Sequence, residues 1–355
     1  MQIKIYRPPL DKSTHKMLLY YSCGQIPHTE VYMQLYLLEL GDFKIPSYGF
    51  FIAVGLILCI ITLKFLIKKS NMPDALFEAY FTAGLIGIVI GFLFAALFQD
   101  FYNCLATGTF RLFGGLTVMG GLIGGATGFI LYVLLVMRNK KVKQAFWDIA
   151  DFAAACICIA HCLGRIGCFM GGCCYGMEED GFLSVVFKYG EGAGVPRLPT
   201  QLFEALFLFM MFLFFVAYNL RKTKRGYGIG IYAIAYGIWR FLIEFLRDDY
   251  RGGVDGSLLS PSQIQSIIFI IVGIAVIVGV YFFTKKGLIV EKLDWSEELQ
   301  IEADARAEKL AEKQKLREEK ANATSYEEYN DAVDTAEKES ATPDENVDNL
   351  QTNNE

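Results

Sequence analysis

The 355-residue chain is 54% hydrophobic with a positive mean hydropathy, a composition too apolar for one soluble core of this size. Its formal charge of -5 carries little information, because the acidity gathers in the C-terminal tail, and no nucleic-acid partner is expected. Seven apolar stretches are each long enough to cross a bilayer core, which takes about 20 residues. They are 46–67, 78–99, 116–137, 148–170, 200–219, 227–246 and 262–283. Runs of this length satisfy their backbone in lipid as helices, so an all-α integral membrane protein of about seven transmembrane helices is expected.

In chain order, residues 1–37 read as an extracytoplasmic N-terminal extension to a membrane domain over 38–284. The segment before the first run has neither a basic n-region nor a small-residue cleavage site, which speaks against a secretory signal. The first helix opens at Tyr48 and Gly49, where the tyrosine is an interfacial anchor or a site residue, and closes on Lys68 and Lys69. The third opens on a glycine patch from Gly114 to Gly125, whose default use is close helix packing, and is followed by Arg138, Lys140, Lys141 and Lys143. The fourth runs into a segment from Gly164 to Gly176 that carries Arg165, Cys168, Cys173 and Cys174. Glycines there break the helix, and irregular backbone at membrane depth is tolerated where it lines a protein cavity.

Gln201 and Glu204 begin the fifth helix one turn apart, presenting amide and carboxylate to the same side, and Arg221, Lys222, Lys224 and Arg225 follow it. The sixth carries Tyr232, Tyr236, Arg240, Glu244 and Arg247, whose spacing places them on one helical face. After the seventh, Lys285, Lys286 and Lys292 lead into a charged cytoplasmic helix to about 321 and an acidic disordered tail over 322–355. Basic loops resist translocation, so these four lysine- and arginine-rich ends are expected in the cytoplasm and the N-terminus outside. Arg7, Lys12, Lys16 and Lys44 argue mildly the other way.

Charges at membrane depth are costly and face a cavity or a partner. On this topology Arg165, Arg240, Glu204, Glu244 and Tyr48 all fall in the outer half of the membrane. An arginine–glutamate ion pair that fixes helix register is one reading of Arg240 and Glu244. The other is an outward-opening anion site, since guanidinium suits phosphate and stays charged when partly buried, and a phosphate at the bilayer surface is most simply a lipid headgroup.

Five motifs in this order on seven helices carry a family likeness: Ser47-Tyr48-Gly49, the glycine patch, the Gly164–Gly176 segment, Pro199 to Glu204, and Tyr236 to Arg247. From about Leu38 to Phe283 the chain resembles the prolipoprotein diacylglyceryl transferases. The resemblance implies a bacterial cell-membrane enzyme whose substrates are phosphatidylglycerol and a prolipoprotein signal peptide with its lipobox cysteine. It moves the diacylglyceryl group to that thiol, forms a thioether and releases glycerol 1-phosphate, without cofactor or metal. It makes Arg165, Arg240, Tyr236, Tyr48 and Glu244 the catalytic candidates, and Arg165, Arg240, Gly176, Gln201, Glu204 and Arg247 the lipid-binding ones.

The chain departs from the family pattern where Met119 and Leu198 replace histidines and where Cys168 and Cys173 replace asparagine and glutamate. The general base is thus open between His161, one turn before Arg165, and the field of the arginines themselves. Cys168, Cys173 and Cys174, with Cys162 a turn and a half earlier, are candidates for thiol chemistry, a disulfide, plain packing or a metal site, the last weakly, since their spacing does not match a paired zinc knuckle. Two competing readings are a diverged transferase with another acceptor and a lipid or solute transporter or lipid-binding scaffold. The halves show no convincing repeat and the charges lie to one side, which favours an enzyme.

Overall fold

The computed structural model describes residues 35–40, 43–108, 115–190, 192–221, 224–248, 259–290 and 293–340. Most of the N-terminal extension, and Gly114 of the glycine patch, lie outside the described residues.

An antiparallel hairpin, β1 (Tyr36–Leu40) and β2 (Phe43–Pro46), leads in, pairing Leu38 with Ile45 and Leu40 with Phe43. Helix α1 (Ser47–Lys69) starts at Pro46, and Lys68 and Lys69 complement the negative end of its dipole. Helix α2 (Asp74–Thr107) ends on Gly108, which takes the left-handed conformation at φ 69°. Helix α3 (Val118–Leu131) continues into a π-helical turn over Tyr132–Val136. The short α4 (Lys140–Gln144) precedes α5 (Phe146–Met170), α6 (Thr200–Arg221), α7 (Gly228–Ile243) and α8 (Pro261–Lys285). Ser260 and Gln263 form a capping box at the start of α8, with Pro261 at its first position.

Among the described residues, seven helices are long and apolar enough to cross a membrane: Ser47–Lys69, Asp74–Cys104, Met119–Val136, Phe146–Met170, Thr200–Arg221, Gly228–Leu246 and Pro261–Lys285. Ile88, Val89, Leu135, Leu206 and Ile271 point outward, an exposure that water would penalise and hydrocarbon does not. Helix α5 is central: half of its most apolar window is buried, against 11% for α8, and it packs on α1, α6 and α7.

Small residues set the helix crossings, because packing in lipid depends on close backbone approach. A β-carbon on Gly91 of α2 would lie 2.9 Å from the Gly121 carbonyl of α3, so the glycine patch is a packing seam. Gly230 of α7 and Gly273 of α8 meet in the same way.

The two ends of the bundle differ. At the end that carries the basic connections, Asp151 of α5 accepts the backbone N–H of Gly226 at 2.8 Å and of Gly228 at 2.6 Å. Arg225, which sequence reading counts among the loop charges, is buried there: it pairs with Asp148 at 2.6 Å and donates to the carbonyls of Val290 and Gln144. At the opposite end, the connection from Gly171 to Pro199 folds over the bundle. It has a small core of Phe169, Tyr175, Val185 and Phe187 and a two-residue ladder, β3 (Val185–Val186) with β4 (Pro196–Arg197).

Residues from Asp294 form a separate unit. Its helix α9 (Ser296–Ser340) is 45 residues long and charged, and it continues past Asn322, where a change to disorder is expected from composition. Residues 341–355 lie outside the described residues.

Candidate active site

Glu204 is the hub of the polar centre. Lying just past the first turn of α6, it is completely buried in the bundle. From α5, Arg165 Nη2 meets its Oε1 at 3.0 Å, and His161 Nε2 lies 3.8 Å from the same oxygen. From α7, the Tyr236 hydroxyl donates to it at 3.0 Å. Arg247 Nη1 lies 3.8 Å from Oε2. The ring of His161 sits edge-on to Tyr236 at 5.2 Å, and Tyr232 stacks beneath Tyr236 at 5.9 Å, so an aromatic column fixes the hydroxyl.

Arg240 makes a second, adjoining centre. Its Nη1 lies 2.6 Å from Glu244 Oε2, and its Nη2 donates to Ser262 Oγ of α8 at 2.8 Å. Ser260 donates to Glu244 Oε1 at 2.8 Å, so the capping residue of α8 also holds the carboxylate. Ser260 and Ser262 are absent from the candidates read in sequence. The Ser-Pro-Ser-Gln run that builds the capping box is the signal that points to them.

The five-residue face expected on the sixth span ends early. The α-helix stops at Ile243, Glu244–Leu246 form a 3-10 turn, and Arg247 is extended at φ -99°, ψ 149°. Arg247 therefore leaves the face of Arg240 and joins the Glu204 cluster instead. This exit is tied to the folded connection: Gly176 N–H donates to Leu198 O, and Met177 N–H donates to Leu246 O, both at 2.9 Å. A β-carbon on Gly176 would meet Leu246 O at 2.7 Å and Leu198 Cβ at 2.8 Å, so packing accounts for this glycine, which sequence reading places among the lipid-binding residues. Arg197 clamps the same joint through Glu178 and Asp248, each at 2.9 Å.

Gln201, completely buried, donates to Cys173 O at 2.6 Å and so fastens the turn after α5 rather than facing an open site. Tyr48 is 48% exposed and packs its ring on Gly167 of α5, which puts it at the rim. Cys168, Cys173 and Cys174 bring their sulfurs within 4.8 Å of one another, none of them in a disulfide. Met119, Pro261, Ser262, Ile264, Gln265 and Ile268 line a groove of about 310 Å³ between α3 and α8 that reaches the Ser262 end of the Arg240 centre.

Arg165, Arg240 and Arg247 converge on Glu204 and Glu244, which makes the cluster rich in guanidinium groups. Arg165 Nε is buried without a hydrogen-bond partner among the described residues, so the fork keeps donor capacity. A multi-spanning membrane protein with a buried arginine-rich centre at one end and an apolar side groove belongs to the class of membrane-embedded proteins built to hold an anionic, lipid-like ligand.

The comparisons narrow this class. The model of the prolipoprotein diacylglyceryl transferase family matches residues 35–279. A phosphatidylglycerol–prolipoprotein diacylglyceryl transferase 2 of Clostridium perfringens is 37% identical over 254 residues, covering 68% of this chain and 93% of that relative. The Clostridium tetani transferase is 33% identical over 251 residues (69% and 96%), and that of Campylobacter curvus 32% over 270 (70% and 93%). The chain belongs to the prolipoprotein diacylglyceryl transferase family.

Proposed function

We propose that this chain transfers the diacylglyceryl group of phosphatidylglycerol to the lipobox cysteine of a prolipoprotein signal peptide. The reading places the N-terminus outside a bacterial cell membrane, the basic loops in the cytoplasm and the polar centre toward the outer leaflet.

The observation that carries it is the paired guanidinium centre, with Arg165 set by Glu204 and Arg240 by Glu244 and Ser262. In the transfer, the acceptor sulfur bonds to the terminal glyceryl carbon, the carbon–oxygen bond to phosphate breaks, and its electron pair leaves on glycerol 1-phosphate. Charge builds on the departing phosphate, which is where fixed guanidinium donors act most strongly. The carboxylates hold the planes of the forks, so little reorganisation is left for the moment of reaction. The lipid reaches this centre sideways, along the groove beside Met119 and Ser262, with its acyl chains against α3 and α8.

Purified protein in detergent, given labelled phosphatidylglycerol and a lipobox peptide, should yield the thioether and free glycerol phosphate in equal amounts. Lipid that binds without yielding either product would contradict the transferase reading. Reporter fusions after Lys140 and Lys285 should show cytoplasmic placement, and one within 179–183 the outside; the reverse pattern would overturn the topology.

A further inference from the structure

Alkylating a thiol requires the thiolate, and the polar centre holds little to make it. His161, Glu204 and Glu244 are the basic side chains there, and Glu204 and Glu244 are committed to arginines, with His161 beside Glu204. Immediately beside this centre lies a group of three cysteines.

Cys168 ends the last turn of α5, and Cys173 and Cys174 follow on the turn that leaves it, all three sulfurs within 4.8 Å of one another. A sulfur triangle with edges no longer than this has its centre at most about 2.8 Å from each corner. Zinc–thiolate bonds are about 2.3 Å, so a shift of roughly 0.5 Å per sulfur closes a three-thiolate site. The backbone that carries the thiols is already fixed. Cys173 N–H donates to Cys168 O at 3.2 Å, Gln201 holds Cys173 O, and Thr200 holds Cys174 O at 3.0 Å. Cys174 adopts φ 65°, a left-handed conformation that residues with a β-carbon seldom take and that these bonds stabilise. Cys173 is exposed, which leaves one side of the triangle open.

We propose that Cys168, Cys173 and Cys174 bind a thiophilic divalent cation of the zinc class, and that its open fourth position takes the acceptor cysteine as a thiolate. This role rests on the transferase reading. Three protein ligands with one open position is the arrangement of catalytic zinc, and coordination deprotonates a thiol outright. Three thiolates and a divalent cation carry one net negative charge, and Arg165, close enough to act electrostatically on Cys173, offsets it. Arg165 lies one helical turn before Cys168, and Gln201 one turn before Glu204 on α6, so the cation sits next to the phosphate-binding centre. The acceptor thiol releases its proton to water as sulfur binds the metal. The sulfur–carbon bond then forms as the glyceryl carbon–oxygen bond breaks, and the neutral thioether, a poor ligand, leaves and reopens the position.

The test uses the full chain purified in detergent, its thiols verified as reduced by alkylation mass spectrometry and loaded with Zn²⁺ or Co²⁺. One equivalent of metal and a thiolate-to-cobalt absorption band are expected. Both should be lost in Cys168→Ser and Cys173→Ser and kept in Cys104→Ser, with thermal unfolding used to show that each variant is folded. A lipobox peptide should shift the cobalt bands, and its serine counterpart should not. Stripping the metal should slow transfer by about ten-fold or more, and zinc should restore it. No stoichiometric metal on reduced, folded protein would overturn the site, and transfer indifferent to stripping would overturn its role. Bands that respond to the peptide while no phospholipid gives a thioether would uphold the site and overturn the transferase reading instead.

Discussion

Glu204 has Arg165, Tyr236, His161 and Arg247 around one carboxylate, so its charge organises more of the centre than any other side chain. Glu204→Gln keeps the shape and removes that charge, and turnover should fall by about a hundred-fold, on the scale of losing a fixed donor to developing charge. Arg240→Lys keeps the charge but loses the fork that reaches Glu244 and Ser262 together, and should lower kcat by about ten-fold or more with lipid still bound. Steady-state assays of both variants check this, and a Glu204→Gln enzyme of wild-type rate would remove Glu204 from the centre. His161→Ala should stay within about ten-fold of wild type, since general bases contribute about a hundred-fold or more where they are used. The ionic side chains of this centre were legible as charges at membrane depth. The Arg240–Glu244 pair was legible too, as a spacing of four on one helix, whereas the pairing of Arg165 with Glu204 was not, because it joins two helices that periodicity treats separately.

At the scale of elements, each apolar run corresponds to a helix within a few residues, since hydrocarbon thickness fixes length and composition together. The misses lie where tertiary contacts decide. The 3-10 turn over Glu244–Leu246 redirects Arg247 because Gly176 is bridged alongside it, and the β1–β2 hairpin has no strong alternation to announce it. Gly91→Val should destabilise the α2–α3 crossing by about 1–3 kcal/mol through overpacking, measured as a lower midpoint of unfolding in detergent. Asp151→Asn loses charge-assisted bonds to Gly226 and Gly228 at the end away from the site. It should cost about 1.5–3 kcal/mol of stability while kcat per folded molecule is unchanged.

Two polar clusters occupy opposite ends of one bundle: Asp148, Asp151 and Arg225 lock the basic end, and Glu204, Arg165 and Arg240, the proposed reaction centre, occupy the other. Every residue named in the centre belongs to the unit that ends at Leu293, and a chain ending there should transfer lipid at the wild-type rate per folded molecule. The most direct test is the thioether assay with wild-type and Arg240→Ala protein side by side, both shown to be folded. Thioether and glycerol phosphate are expected from the wild type, with their near-complete loss in the variant. Equal product from both would contradict the guanidinium centre as the seat of the reaction.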